Sequence, residues 1–250
     1  MSFKRFLIGL VGLGLALSSV ESVFASRPFL TEDAPTTPPG VVGVEIGVDA
    51  KDPCGDVDSG LVVYAGVCDS AEIYAELPFV IKSNTPDVAG KIDVFNVGGK
   101  WNFLKCGDGQ ILTIAASISN LPKETSLWSY QGMLVFSKSL ISDLTLHTNF
   151  GGNFSSEKFE SYLWGVGLEK QLSQQLALAA EIHSADTIFS ERAFADSHIT
   201  SMLGVAWSLS EKATLDLSLR FPLTEKAKAL NDNNEPTELA HYVVGLTYEF

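Results

Sequence analysis

Long hydrophobic runs are missing from this sequence beyond its first 25 residues. A spanning helix needs about 20 consecutive apolar residues, so any membrane insertion by the later residues must use β-strands. Clusters of Lys and Arg are missing too, since 17 basic residues face 30 acidic ones and the formal net charge is −13. Binding to nucleic acid requires a clustered excess of positive charge. The composition therefore excludes nucleic acid as a partner.

The first residues have the features of an export signal. Lys4 and Arg5 precede an apolar run from Phe6 to Leu17, and the small residues Val23 and Ala25 follow it. This order is typical of a cleaved secretory signal, and the run is too short for a spanning anchor. We therefore expect a mature chain outside the cytoplasm.

Apolar residues alternate with polar or small ones from Val41 onward. In "VVGVEIGVDA", four aliphatic residues share one face, while Glu45, Asp49 and two glycines share the other. A period of two indicates β-strands with one apolar face. We predict about twelve strands and no helix in the mature chain, near residues 41–50, 59–67, 71–82, 91–105, 110–119, 127–138, 142–152, 159–171, 174–185, 197–209, 212–222 and 238–250.

The connections between these strands alternate in length. Short ones such as "CDSA" and "KCGDG" follow long ones such as "KDPCGDVDS" and "KSNTPDVAG". Outer-membrane barrels have short periplasmic turns, long outward loops and an even strand count, and hydrocarbon forbids an open sheet edge. We predict a signal peptide at 1–25, a periplasmic segment at 26–40, and a closed antiparallel transmembrane β-barrel in outer-membrane lipid at 41–250.

Aromatic residues fall near both ends of the predicted strands. If odd-numbered strands run outward, one group lies at the outer rim and another at the periplasmic rim, as the two girdles of a membrane barrel do. The outer group is Phe79, Trp128, Phe150 and Phe221, and the periplasmic group is Trp101, Phe103, Phe136, Trp207, Tyr248 and Phe250.

The stretch "RPFLTEDAPTTPPGVVGVEIG" resembles the start of mature chains in a family of outer-membrane transporters named for the meta-pathway of phenol degradation. "AEIYAELPFV" and "DVFNVGGKWNFL" resemble that family's third and fourth strands, although only Arg27 to Ala34 is distinctive. The resemblance covers most of the mature chain. It implies a barrel in the Gram-negative outer membrane that passes or binds small hydrophobic or aromatic molecules, and it carries over no binding residue.

The end of the chain also resembles a known signal. Gly245, Tyr248 and Phe250 match the C-terminal pattern that the barrel-assembly machinery reads, with Val243 where that pattern usually has a polar residue. We therefore expect this machinery as a partner and Phe250 in the periplasmic girdle.

The polar faces of the predicted strands line the lumen, where carboxylates outnumber basic residues. Such groups either bridge each other and fill the lumen or line a wet path that favours cations, and the basic residues are too few to neutralise every carboxylate. The predicted solute path is lined by Glu72, Glu76, Lys100, Asp143, His147, Glu181, His183, Asp216 and Arg220, with Glu45, Asp49, Glu169 and Glu249 on the same faces.

Catalytic and metal-binding patterns are weak in this chain. Barrel lipid hydrolases place a His and a Ser two residues apart on one strand face. Here His147 has Asn149 at that spacing, His198 has Thr200, and His183 is followed directly by a serine on the opposite face. The run "DAKDPCGDVDSG" lacks the terminal Glu of a calcium loop, so it reads better as a solvated acidic loop.

Cysteine is scarce, with Cys54, Cys68 and Cys106 in the whole chain. The predicted topology puts Cys54 at the outer end and the other two at the periplasmic end, separated by one strand. With strands about 4.8 Å apart, that separation strains a disulfide, whose Cα atoms lie within about 7 Å. We predict no firm disulfide and no metal site.

The sequence thus favours a channel or transporter for small-molecule solutes that needs no cofactor and no covalent step. The segment from Arg27 to Pro39 is expected to enter the periplasmic mouth as a partial plug. Two alternatives stay open: a closed structural or adhesion barrel that acts through its outer loops, and a lipid hydrolase.

Overall fold

The alternating sequence folds into a single sheet that closes on itself. The computed structural model describes residues 33–53, 57–82, 95–107, 109–120, 128–155, 159–186, 199–224 and 238–250. These described residues form twelve antiparallel strands: β1 Val42–Pro53, β2 Val57–Cys68, β3 Ala71–Lys82, β4 Phe95–Lys105, β5 Gln110–Asn120, β6 Trp128–Ile141, β7 Leu144–Ser155, β8 Phe159–Gln171, β9 Leu176–Asp186, β10 Ile199–Ser208, β11 Ala213–Pro222 and β12 Glu238–Glu249.

Each strand pairs with its neighbours in sequence, and β12 pairs back onto β1. The closing register sets Val44 opposite Tyr248 and Gly47 opposite Gly245. The predicted closed antiparallel barrel is therefore confirmed. None of the described residues forms a helix long and apolar enough to cross a membrane.

The predicted strand limits agree with the observed ones to within a few residues, and the differences lie mainly at the hairpins. β1 continues to Pro53 because its polar end still pairs with β12, with Lys51 opposite His241. β6 continues to Ile141, so the turn before β7 shrinks to Ser142 and Asp143. The cross-strand pairing continues further towards these connections than the alternating pattern predicts, which makes them shorter than expected.

The two ends of the barrel differ in their connections. The turn end, as we call it, carries Phe250 and the short connections 69–70, 106–109, 142–143, 172–175 and 209–212. At the opposite end, which we call the loop end, the strands are joined by residues 54–56, 83–94, 121–127, 156–158, 187–198 and 223–237, nearly all of which lie outside the described residues.

Burial in this barrel is the reverse of burial in a soluble protein. On β9, Glu181 is 3% exposed while its neighbour Ile182 is 42% exposed. The same inversion places Leu217 outside and Asp216 inside on β11. An apolar outer face with polar groups turned inward suits a sheet surrounded by hydrocarbon.

Aromatic residues project from the outer face at both ends of the barrel. Trp128 starts β6 at the loop end, whereas Trp101, Trp207 and Tyr248 lie close to the turn end, and all four are exposed. Phe250 packs edge-on against Tyr248, with ring centroids 4.9 Å apart. Their placement matches the predicted girdles.

Candidate functional site: the lumen

A short segment lies inside the lumen near the turn end before β1 begins. We call this segment, Asp33–Gly40, the strap. It contains three prolines, which lack the N–H that strand pairing needs. Its bridge to the sheet is a parallel one between Pro39 and Gly66. The strap therefore lies against the wall without becoming a strand of it.

An ion-pair cluster holds the first part of the strap. Lys100 Nζ lies 3.1 Å from Asp33 Oδ1 and 3.2 Å from Glu72 Oε1. The backbone N–H and the hydroxyl of Thr37 both donate to Glu72 Oε2 at 2.8 Å. Strands β3 and β4 thus present one carboxylate and one ammonium group to the strap. Residues 33–39 of the expected plug therefore lie in the lumen at the turn end, residues 27–32 lie outside the described residues, and the periplasmic position of this end stays a prediction.

Ala34 is the most deeply enclosed residue of the strap. Its side chain is fully buried against Ala115 and Val135. Its N–H donates to Ser137 Oγ at 2.9 Å, and its carbonyl accepts a 2.7 Å hydrogen bond from Thr113. Both backbone groups of a buried residue are thereby satisfied, so the wall of β5 and β6 recognises the strap backbone itself.

Ser137 also contacts His147 on the neighbouring strand. Ser137 Oγ lies 2.8 Å from His147 Nδ1, and His147 Nε2 lies 3.8 Å from Glu169 Oε2. In the hydrolase pattern, His and Ser lie along one strand, whereas this pair forms across β6 and β7, where the register sets the two residues opposite each other. Ala34 N–H donates to the same serine oxygen, so the cluster helps to hold the strap.

A cavity of about 190 Å³ lies on the other side of the lumen. Three glycines on adjacent strands create its space: Gly60 pairs with Gly47, and Gly47 pairs with Gly245. No side chain projects from this row, so the lumen stays open there. The polar lining of the cavity consists of Glu45, Glu76, Asp216, Ser218, Arg220 and Thr247.

A network of charged side chains borders the cavity towards the loop end. Asp49 lies 3.4 Å from Arg220 Nη1 and 3.1 Å from His241 Nδ1, and Lys51 pairs with Asp58 at 3.1 Å. The acidic run that contains Asp49 and Asp58 was expected to be a solvated loop. The structure instead places these two aspartates in cross-strand ion pairs.

The predicted path residues divide into groups. Glu76, Asp216 and Arg220 line the cavity, while Glu72, Lys100 and His147 belong to the surroundings of the strap. His183 faces the lumen and hydrogen-bonds to Thr200 through Nε2, and Glu181 is buried opposite Met202.

The lumen position predicted for Asp143 is wrong. It sits in the turn between β6 and β7, where its carboxylate lies 3.3 Å from Lys170 Nζ. The prediction started a strand at residue 142, whereas β7 begins at Leu144. Asp143 is therefore at the rim of the turn end and not in the wall of the lumen.

The residues of the predicted assembly signal have separate positions. Gly245 faces the cavity, while Tyr248 and Phe250 face outward at the turn end. Their recognition by the assembly machinery stays a prediction.

The described cysteines are free and exposed thiols, Cys68 and Cys106. Cys54 and His198 lie outside the described residues. Among the residues that the structure describes, no three His, Cys, Asp or Glu side chains group as metal ligands would.

Solved outer-membrane channels share this fold. The KdgM porin has a TM-score of 0.62 and 10% identity, covering 83% of this chain and 99% of its own. The NanC porin has a TM-score of 0.63 and 8% identity, covering 82% and 98%. An outer-membrane channel from Pseudomonas putida F1 has a TM-score of 0.63 and 11% identity, covering 87% and 98%. Identities this low establish the barrel fold and nothing about cargo.

No family model matches the sequence, and no curated protein matches it.

Proposed function

We propose that this protein is an outer-membrane channel through which small hydrophilic solutes diffuse, with a preference for cations. The observation that carries the proposal is the glycine-lined cavity in the lumen, which lies beside Glu45, Glu76 and Asp216. A lumen with polar walls and unfilled volume needs no cofactor to pass a solute. It needs a continuous wet path.

The size of the barrel supports a narrow path. Barrels of eight strands are just filled by their side chains, whereas barrels of 16 to 18 strands leave a wide aqueous channel. The twelve strands among the described residues lie between these cases. We therefore expect a lumen partly filled by protein, with a small conductance through the rest.

The charge of the wall supports the cation preference. Rings of carboxylates favour cations in a pore, and a low-dielectric wall concentrates their field. Carboxylates outnumber Lys and Arg among the lumen-facing residues described: Glu45, Asp49, Glu72, Glu76, Glu169, Glu181, Asp216 and Glu249 against Lys51, Lys100 and Arg220.

The family resemblance implies hydrophobic or aromatic solutes instead. The cavity has both kinds of wall, since Val62 and Val243 line it together with carboxylates, a guanidinium group, hydroxyls and glycines. A binding screen of small aromatic compounds against the folded barrel tests this finer assignment. Saturable binding that depends on cavity residues would favour aromatic solutes over hydrophilic ones.

Single-channel recording of the purified protein in a planar lipid bilayer tests the channel itself. We expect steady current whose reversal potential in a salt gradient indicates cations. Gly47→Leu should lower the conductance, because the nearest heavy atom to a Cβ at Gly47 is Val244 O, 3.9 Å away, and the side chain has space to enter the cavity. Val48→Leu is the matched control, since Val48 faces outward on the same strand.

Silence from the wild-type protein and from every variant would overturn the proposal and favour the closed structural barrel. Conductance that is equal in Gly47→Leu and Val48→Leu would show that the current does not pass through the cavity. Lipid cleavage that is lost on His198→Ala would favour the hydrolase.

A further inference from the structure

We propose that the lumen wall behind the strap is a binding site for an extended proline-rich peptide, that the strap is its resident ligand, and that it leaves and returns as a gate. The inference rests on the proposed channel function and adds to it a site and a ligand class. We call the wall residues that contact the strap the cradle: Gly66, Glu72, Lys100, Asn102, Thr113, Val135 and Ser137.

The strap is held in the way a bound peptide is held. Side chains of the cradle hold it through hydrogen bonds and an ion pair, and the Gly40 N–H donates to Gly66 O at 3.2 Å beside the Pro39 bridge. Asn102 Nδ2 donates to Thr36 Oγ1 at 2.9 Å, and Ala34 fills a pocket sized for a methyl group. Water can replace polar anchors of this kind, whereas a strand of a closed barrel has no alternative partner in the membrane.

The cradle residues also pair with one another. Glu72 and Lys100 lie 3.2 Å apart, and Thr113 Oγ1 lies 2.5 Å from Asn102 Oδ1. Ser137 has His147 at 2.8 Å. Departure of the strap therefore leaves a charge-compensated and hydrogen-bonded wall. Stranding a buried charge would be the main obstacle to release, and this arrangement avoids it.

The cradle recognises particular features of the strap. Lys100 favours a carboxylate at the position of Asp33, and the full burial of Ala34 beside Val135 favours a small side chain there. Glu72 requires the hydroxyl and N–H of Thr37. Gly66 admits the backbone of Pro38, because a Cβ at Gly66 would overlap the Pro38 carbonyl. A proline-rich peptide with an acidic residue, then alanine, then threonines meets all of these requirements.

Occupancy of the cradle should restrict the pore. The contacts of the strap run from β2 to β6 near the turn end, so a bound strap narrows the lumen to the part that it does not cover, which includes the cavity beside β1, β11 and β12. A released strap opens the whole mouth.

A reversible lock tests this gate in the full mature chain. Ala34→Cys with Val135→Cys joins strap and cradle by a disulfide, in a background with Cys54, Cys68 and Cys106 replaced by serine. Under oxidation we expect the low-conductance state alone. A reductant added to the same channel should restore transitions to a state of about twofold larger conductance, because the open population becomes accessible again. The single variant Ala34→Cys is the control and should ignore reductant.

Weakening the contacts between strap and cradle gives an independent test of the gate. Asp33→Asn with Thr37→Val removes the ion pair and the threonine hydroxyl, and we expect the high-conductance state to dominate. A synthetic peptide with the sequence of residues 33–40, added on the turn-end side, should restore the low state in a concentration-dependent way. A peptide of the same composition in scrambled order should not.

The outcomes separate the gate from the channel. Current that is identical in the oxidised and reduced lock, together with no response to the peptide, overturns the gate and leaves the channel intact. Absence of current in the wild type, in the reduced lock and in the Asp33→Asn, Thr37→Val variant would overturn the channel proposal itself.

Discussion

Polar residues line both sides of the lumen, but the two sides differ in what surrounds those residues. On the strap side, Thr113, Ser137 and Asn102 are buried and bonded to protein. On the cavity side, Glu45, Asp216 and Arg220 face unfilled space. Protein therefore fills the first side, whereas the second side keeps a cavity that solvent can enter.

The difference shows that the inward polar face of a barrel does not itself determine whether the lumen is open. β2 illustrates this within one strand, because Gly66 accepts the strap whereas Gly60 leaves room in the cavity. A segment outside the sheet determines which part of the wall is covered. Substitutions that act on one side only should therefore have different consequences from their counterparts on the other.

The largest effect is expected at these two glycines of β2. Gly66→Val should lower the free energy of unfolding by about 3 kcal/mol, at the upper end of the usual range for overpacking, because the new side chain meets the backbone of Pro38. Urea titration in lipid vesicles, followed by tryptophan fluorescence, measures this change.

Gly60→Val is the counterpart on the cavity side. A Cβ there meets only the flexible Glu76 carboxylate at 4.0 Å, so we expect a loss of less than about 1 kcal/mol. Equal losses at Gly60 and Gly66 would break the comparison, since they would indicate a general intolerance of β2 and no specific fit between Gly66 and the strap.

The next effect concerns two buried threonines. Thr113→Val removes the hydroxyl that bonds the Ala34 carbonyl. We expect a loss of about 1–3 kcal/mol, as for other buried groups left unsatisfied.

Thr247→Val on the cavity side removes a hydrogen bond of 3.3 Å to Glu45. Water in the cavity can replace that bond, so the loss should stay below about 1 kcal/mol. The same urea titration compares the two variants, and a larger loss for Thr247→Val would argue that the cavity is dry.

Much of the fold follows from the sequence because the period of two has one physical cause. Val44, Ile46 and Val48 must face hydrocarbon, so Glu45, Gly47 and Asp49 must face inward. Once hydrocarbon forbids a free edge, β12 has to pair with β1. The faces and the closure were therefore predictable, and the strand limits shifted by a few residues at the connections, where the alternating pattern does not mark the end of a strand.

The contacts of the lumen were harder to predict because they depend on register. Ser137 and His147 are ten positions apart along the chain and become partners only through the pairing of β6 with β7. The same holds for Lys100 and Glu72. Asp143 shows a different error. The alternating pattern was continued through a two-residue turn, so a residue at the rim was assigned to the lumen wall. The glycines at 47, 60 and 245 were the available signal for the cavity, because glycine weakens a strand unless space is needed there.

The smallest expected effect is on ion selectivity. It tests how much the charge of the cavity side contributes to the difference between the two sides of the lumen. Asp216→Asn removes one carboxylate from the cavity side. We expect the cation-to-anion permeability ratio to fall by about twofold, which corresponds to about 0.4 kcal/mol, as for one partly screened charge in a wet pore. Reversal potentials in a salt gradient measure it.

Asp143→Asn removes the same charge from the turn end, where it pairs with Lys170 outside the lumen, and the permeability ratio should not change. The effect of Asp216→Asn should also fade at about 1 M salt, because the screening length drops to about 3 Å. An equal shift from both variants would mean that the charge of the whole protein sets the selectivity. In that case the cavity side would have no special part in choosing the ion, and the contrast between the two sides of the lumen would apply to packing alone.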